Sequence, residues 1–515
     1  MARGPCLVLA ALLLVLGPAS AGGILAPPAW GAEAATAGHQ AAVLQHHNSA
    51  ARSGLYISST MTRAAAAGLH REAAFRVPLQ GPTYAQPLFW SAAHPGDRDL
   101  LLVATEQNQV YAVDALSGAV VWQRSLGSPV PLRALPCGNI DPLGITGTPV
   151  IDPASRTLFL DALTTPDGGR TKKHFIVALS IDDGSTRPGW PVDVSATVRA
   201  DTIRFDSALE NQRGALALLA GTVYVPYGGH YGDCGAYHGW VVGVPLDRPG
   251  HPQAWVTRAQ GGGVWAPGGL AADGAALYAA TGNTFAASTW SDGEAVIRLR
   301  PGPIFSAQPA DYFAPADWRE LDSTDTDLGG SGPVLVDVPG ARPSSLVVAL
   351  GKSGDAYLLD RANLGGIGRP LAHRHVSDSA IINAAATYVT PAASYVVFRG
   401  RGSGCPSGQS GDLVALRLAA TAPPSIGVAW CASAQGRGSP MVTTTDGRSE
   451  AIVWSVAAEG DNRLRGFDGE TGRPVFGGGG PGDQLPLVRR FQTPIVADGR
   501  LVVAADNQLV VFTPR

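Results

Sequence analysis

Short apolar runs separated by turn residues recur along the whole chain. The first clear unit runs from Tyr84 to Trp122. It has a Gln-Pro turn, an apolar stretch at Leu100–Ala104, a polar turn at Glu106-Gln107-Asn108, and then VYAVDALSGAVVW ending on Trp122. Runs this short, bounded by Gly, Asp, Asn and Pro, predict strands rather than helices. Asp114 and Gly118 shape the turn, and Trp122 is a large flat side chain that can pack one sheet against the next.

The same layout returns as FIVALSIDDGS around Ile176, GWVVGVPLDRPG around Val241, AVIRLRPG near Ile297, AYLLDRANLGG near Leu358, DLVALRLAA near Ala415, RLRGFDGETGRPVF near Phe467, and QLVVFTPR at the C-terminal end. Several units start on Pro followed by apolar residues, as at Pro149-Val150, Pro333-Val334, Pro440-Met441 and Pro494-Ile495. Eight units of about four short strands each predict an all-β, eight-bladed β-propeller of four-stranded antiparallel blades. The last unit lacks an outer strand. Leu69–Leu79, with its alternating apolar positions, can supply one and so close the ring.

Composition agrees with this pattern. The 515 residues include 65 Gly and 40 Pro, while charged residues make up only 15%, a mixture suited to many short strands and turns. A net charge of −3 gives no electrostatic case for a nucleic-acid partner. Arg3, the apolar run Leu7–Leu16 and Ala19-Ser20-Ala21 read as an export signal over 1–21. The expected organisation is this leader, a flexible segment over 22–45 rich in Ala, Gly and Pro, and one propeller domain over 46–515. No stretch is long enough to span a membrane. The expected location is therefore secreted, periplasmic or at the cell envelope, where disulfides are permitted. Cys137, Cys234, Cys405 and Cys431 allow three pairings. Sequence selects none of the three; Cys405 with Cys431 is plausible by nearness, leaving Cys137 with Cys234. Neither a CxxCH haem motif nor a CxxC zinc pair is present.

Candidate chemistry gathers around Gly261–Asn283, GGGVWAPGGLAADGAALYAATGN. Glycines beside Trp265 allow a flat ring and a backbone to approach a ligand closely. An Asn just past a strand can offer its amide oxygen to a hard cation. Two other polar stretches stand out. Glu210-Asn211-Gln212-Arg213 leads into a strand, where polar residues can line a central funnel. HYGDCGAYH, from His230 to His238, carries two His, one Asp and one Cys without regular metal spacing.

The units VYAVDALSGAVVW and RLRGFDGETG resemble the tryptophan-docking repeat of the pyrroloquinoline quinone (PQQ) propellers, over nearly the whole expected mature chain. Those include quinoprotein alcohol dehydrogenases and also non-catalytic members. GGGVWAPGGLAADGAALYAATGN resembles the dehydrogenase stretch in which a Trp forms the floor under PQQ and an Asn eighteen residues on binds Ca²⁺; here these are Trp265 and Asn283. In DTDLGG, Asp327 aligns with the catalytic Asp, and in GKSGDAYLLDRANLG Lys352 aligns with the cation that touches the quinone oxygens. The resemblance implies PQQ and Ca²⁺ as cofactors, with Asp327 as base and metal neighbour, Trp265 and Lys352 on the cofactor, and Asn283 on the metal. At the place of the family's Ca²⁺-binding Glu this chain has Cys234, with Asp233 beside it as the substitute ligand. The family's adjacent-cysteine disulfide is missing, since Cys137 has no neighbouring Cys. The resemblance also implies oxidation of an alcohol or sugar-type substrate with a separate electron acceptor. The alternative is a non-catalytic secreted propeller that binds protein or glycan partners at the envelope.

Overall fold

A computed structural model of the chain describes residues 42–92, 97–200, 202–285 and 287–514, together with 1, 2 and 4. Apart from those three residues the expected leader lies outside the described residues, and so does 22–41. Among the described residues no helix is long and apolar enough to cross a membrane.

Among the described residues the strands from Leu88 onward form eight successive, mainly antiparallel sheets, the blades of a propeller, with a separate two-stranded pair at Arg199–Ala200 and Ile203–Arg204. The first comprises Leu88–Trp90, Leu100–Ala104, Gln109–Asp114 and Val120–Ser125. Blades three to five carry the residues singled out as candidate chemistry. Their innermost strands are Ala217–Leu219, Ala271–Ala272 and Val334–Asp337, and their second strands are Thr222–Gly229, Leu277–Thr281 and Ser345–Leu350. The middle strands are buried on both faces, because each blade is sandwiched between two others; every residue of Leu100–Ala104 and of Leu277–Thr281 is buried. That is why these strands read as continuous apolar runs rather than alternating ones.

The core therefore lies between blades. Leu102, Val110 and Trp122 of the first pack with Leu158, Leu160 and Val177 of the second. The repeated tryptophan acts as a bolt at this seam. Trp122 Nε1 donates to the carbonyl oxygen of Ile181 at 2.8 Å, and Trp430 Nε1 donates in the same way to Gly469 at 2.8 Å. Beneath each ring lies a left-handed glycine, Gly184 (φ 68°) and Gly472 (φ 71°), where a Cβ would come within 2.6 and 2.7 Å of the indole.

In the eighth blade the strands Ile495–Ala497, Arg500–Ala505 and Gln508–Thr513 come from the C-terminus. The expected single strand over 69–79 is instead two short pieces, His70–Arg71 and Val77–Pro78, both antiparallel to Gln508–Thr513. Between them the chain turns, with Phe75 N–H donating to the Glu72 carbonyl oxygen.

The other departure concerns the stretch before this. Val43, expected within the flexible segment, is fully buried and exchanges both backbone hydrogen bonds with Phe89 (2.8 and 3.0 Å). The ordered body thus begins ahead of residue 46. From Val43 to Ile57 the chain touches the inner edge of one blade after another. Leu44 accepts from Ile151, Ala50 from Ala272, Ala51 from Leu335, Ser53 from Thr387 and Gly54 from Val442, and Leu55–Ile57 pairs parallel with Val442–Thr444. These contacts give partners to inner-strand N–H groups that would otherwise be orphaned. Arg52, 1% exposed, donates to the carbonyl oxygens of Leu216 (2.7 Å), Leu270 (2.8 Å) and His46 (3.0 Å). Burial lowers its pKa to about 9.

Candidate functional site

In an antiparallel blade, the start of the first strand and the end of the second lie on the same face. Residues from these two positions meet around one cavity of about 440 Å³. Arg213, Trp265, Asp327, Ile382 and Phe491 stand just before innermost strands; His230, Asn283, Lys352 and Glu459 stand just after second strands. The volume is that of a small-molecule pocket. The five residues that the resemblance marked as site residues, Asp233, Trp265, Asn283, Asp327 and Lys352, all line it; of the other polar stretches Arg213 and His230 do, whereas Glu210, Asn211, Gln212, Cys234 and His238 do not.

Asp327 is the most constrained of them. Its side chain is 3% exposed, Oδ1 accepts the backbone N–H of Asn283 at 2.7 Å, and Oδ2 lies 2.6 Å from Lys352 Nζ. Lys352 Nζ also reaches Asp325 Oδ1 (2.6 Å) and the Asp325 carbonyl oxygen (3.1 Å). All three ammonium protons thus have acceptors. Gly282 is required here by space. A Cβ on it would stand 2.7 Å from Asp327 Oδ1 and 3.1 Å from Trp265 Nε1. The Thr-Gly-Asn exit of the fourth blade therefore serves to bring backbone, indole and carboxylate together.

Burial pushes the Asp327 pKa up while Lys352 holds it back. For Lys352 burial works against the charge, yet Asp327 and Asp325 raise its pKa overall. A second acid stands behind this pair. Glu294 is fully buried, its Oε2 accepts from Leu328 N–H at 2.6 Å, and burial first and the Asp327 charge second push its pKa well up. Sequence inspection gave no sign of Glu294, which lies just before an ordinary apolar strand.

Two cations flank the indole. Lys352 Nζ is 5.4 Å from the Trp265 ring centroid and the Arg213 guanidinium 5.8 Å. Arg213 differs from the rest of its polar run. Glu210 Oε1 accepts from His238 N–H and Trp240 Nε1 (both 3.1 Å), and Gln212 accepts from Gly147 N–H. Arg213 has no ion pair among the described residues, and its Nε has no hydrogen-bond partner. Other cations of the wall are committed: Arg489 to Asp506 (2.6 Å) and Arg490 to Glu459 (2.8 Å). Asp325, Arg489, Arg490 and Glu459 were not singled out by sequence, because nothing local marks them as neighbours of Trp265.

The loop after the second strand of blade three is closed by a disulfide. Cys137 pairs with Cys234 and Cys405 with Cys431, one of the three pairings left open by the sequence. The thiol at the aligned metal position is therefore not a free ligand. Asp233, exposed and left-handed (φ 52°), accepts from Tyr237 Oη at 2.7 Å. His230 lines the cavity, and burial lowers its pKa to about 4. Among the described residues no three His, Cys, Asp or Glu side chains converge as a metal-binding group.

The family model described as Outer membrane protein assembly factor BamB matches residues 49–139. No curated protein matches the chain. Among solved structures it is similar to the quinohemoprotein alcohol dehydrogenase from Comamonas testosteroni, with 13% identity over 93% of this chain and 81% of that one and a TM-score of 0.60. It is similar to the quinohemoprotein alcohol dehydrogenase ADHIIG from Pseudomonas putida HK5, with 13% identity over 92% and 80% and a TM-score of 0.61. A europium-containing methanol dehydrogenase matches at 13% identity over 92% and 98%, with a TM-score of 0.60. At such identities the likeness speaks for the fold. With the repeat, the docked tryptophans and the blade count, it shows that the chain has the eight-bladed β-propeller fold of the PQQ-like kind.

Proposed function

We propose that the chain is an exported propeller protein whose axial cavity binds a flat, anionic cofactor of the quinone class, PQQ being the candidate. The proposed activity is that of a dehydrogenase acting on an alcohol or sugar-type substrate. One observation carries the reading: Trp265, Lys352 and the unpaired Arg213 share one cavity with a buried carboxylate. An indole face suits a planar ring, and two cations suit its carboxylate and quinone oxygens. The paired cysteines agree with an oxidising compartment.

Such a cofactor, when bound, supplies the two-electron acceptor. The chain's residues then have distinct tasks. Trp265 is the floor, Arg213 and Lys352 orient the ligand's oxygens, and Asp327 is the candidate acceptor of the substrate hydroxyl proton. A carboxylate whose pKa is raised by burial is a stronger base than a solvated one. Lys352 must let go of Oδ2 for that oxygen to act, which a ligand oxygen drawing the ammonium away would achieve. Calcium does not fit the residues expected to hold it. Both Asp327 oxygens are taken, Cys234 is in a disulfide and Asp233 is turned to Tyr237, so no step is routed through the metal.

A second reading is a non-catalytic propeller that binds protein or glycan partners at the envelope. It is favoured by Tyr231, a 64% exposed aromatic at the cavity rim, and by the full engagement of Asp327. Titration with PQQ, followed by tryptophan fluorescence and by dye reduction in the presence of alcohols and sugars, separates the two. The quinone reading expects saturable quenching that Trp265→Ala weakens about tenfold or more. Equal response of wild type and Trp265→Ala, or none from either, leaves the envelope-binding reading standing.

A further inference from the structure

We propose that the Lys352 ammonium is the resident cation of the axial site and takes the place of a divalent metal ion, so that ligand binding there is independent of metal. The donor count leads to this. Asp325 and Asp327, which line the cavity with Trp265, each give one carboxylate oxygen to Nζ at 2.6 Å, and the Asp325 carbonyl oxygen completes a three-oxygen tripod. The remaining Asp327 oxygen is held by Asn283 N–H. A hard divalent cation asks for six or more oxygen ligands at short range. Here the oxygens are already arranged around a monovalent ammonium, and a second cation would meet its charge directly.

The ammonium is also fixed in place. Lys352 N–H donates to the Asp327 carbonyl oxygen at 2.8 Å, so backbone and side chain both tie the two residues. Its side chain is only 22% exposed, whereas that of Asp325 is 61% exposed. Asp325 is thus the partner that a ligand oxygen can replace, leaving Lys352 bound to Asp327 and to the ligand at once.

For its ligand arm this rests on the quinone-class cavity proposed above; its metal arm does not. The test uses the full chain and calorimetry in two titrations: Ca²⁺ alone, then PQQ in chelator or in excess Ca²⁺. Wild type is expected to take up no Ca²⁺ in the cavity and to bind PQQ with the same affinity, within about twofold, in both buffers. Lys352→Gln is expected to lose about ten- to hundredfold in PQQ affinity and to gain a Ca²⁺ site on the freed carboxylates. Lys352→Arg, which keeps the charge, stays silent to Ca²⁺. A wild-type Ca²⁺ site that Asp327→Asn abolishes, or PQQ binding strengthened about tenfold by Ca²⁺, overturns the proposal. If PQQ binds under no condition, the quinone reading fails. The Lys352 assignment is then decided by Ca²⁺ alone: a silent wild type with a binding Lys352→Gln supports it, and a silent Lys352→Gln overturns it. Should Lys352→Gln not fold, the wild-type and Lys352→Arg titrations decide it.

Discussion

Lys352 is bonded to Asp327 twice, through Nζ to Oδ2 at 2.6 Å and through its backbone N–H to the carbonyl oxygen at 2.8 Å. The carboxylate is nearly inaccessible, at 3% exposure, so the ion pair and the Asn283 N–H are what make its charge tolerable. Truncating the lysine leaves a buried acid without its counter-charge. Lys352→Met is expected to cost about 3 kcal/mol in urea unfolding, since breaking a buried pair from one side costs more than the pair is worth. Lys352→Met with Asp327→Asn should recover most of that loss, because the amide can still accept from Asn283 N–H. If the double variant is as unstable as the sum of the singles, the coupling is absent.

Glu106 predicts a pH dependence. It is fully buried, with Oε2 accepting from Gly144 N–H at 2.7 Å, and burial raises its pKa from 4.5 to about 7. Below its unfolded value the group is protonated in both states, and folding is not penalised. As pH rises toward 7 the unfolded chain loses the proton first, so stability falls across that window by roughly 3 kcal/mol and levels off above it. Glu106→Gln keeps the acceptor for Gly144 and removes the slope. Urea midpoints of both proteins at about pH 5 and about pH 8 check it, and parallel profiles would refute it.

How much of this was open to sequence inspection depends on whether the signal is local. Blade count and tryptophan bolts were legible because Trp122, its turn at Asp114–Gly118 and the following apolar run lie within one unit. The grouping of Trp265, Asn283, Asp327 and Lys352 was implied by the resemblance to the dehydrogenase stretches rather than by any local signal, and the four line one cavity. The axial course of 43–57 was not. Its buried residues His46, His47 and Arg52 are polar, and their partners are backbone groups of distant blades such as Leu216 and Leu270. Arg213 was visible only as part of a polar run. What sets it apart from Glu210 and Gln212, whose side chains bond to Trp240 and to backbone groups, is a guanidinium 5.8 Å from the Trp265 ring, a property of the folded cavity rather than of the run.

The bolts give a prediction independent of the cavity. At Gly184 a Cβ would lie 2.6 Å from the Trp122 ring, and the backbone is left-handed. Gly184→Ala therefore suffers both strain and a clash and is expected to lose about 1–3 kcal/mol. Gly472→Ala under Trp430 should behave alike, whereas Gly221→Ala, equally left-handed but with nothing within 4 Å, isolates the backbone cost alone. Equal losses at all three sites would show that the indole contact contributes nothing.

The two disulfides should separate stability from site architecture. Cys137 and Cys234 close a span of 97 residues, and Cys405 and Cys431 one of 26. On chain entropy alone the first is worth about 4–5 kcal/mol and the second about 3–4 kcal/mol. Both double serine variants are thus expected to unfold at lower denaturant concentration. They should part company at the cavity. The first bridge anchors the loop that carries Tyr231 and Asp233 on the cavity wall, whereas Cys431 lies in the outer strand Ser425–Ala432 of blade six. Cys137→Ser with Cys234→Ser should weaken PQQ binding while Cys405→Ser with Cys431→Ser leaves it unchanged, both read by tryptophan quenching under conditions where each variant remains folded. Equal affinity in the two variants would mean that the 230–238 loop takes no part in holding the ligand.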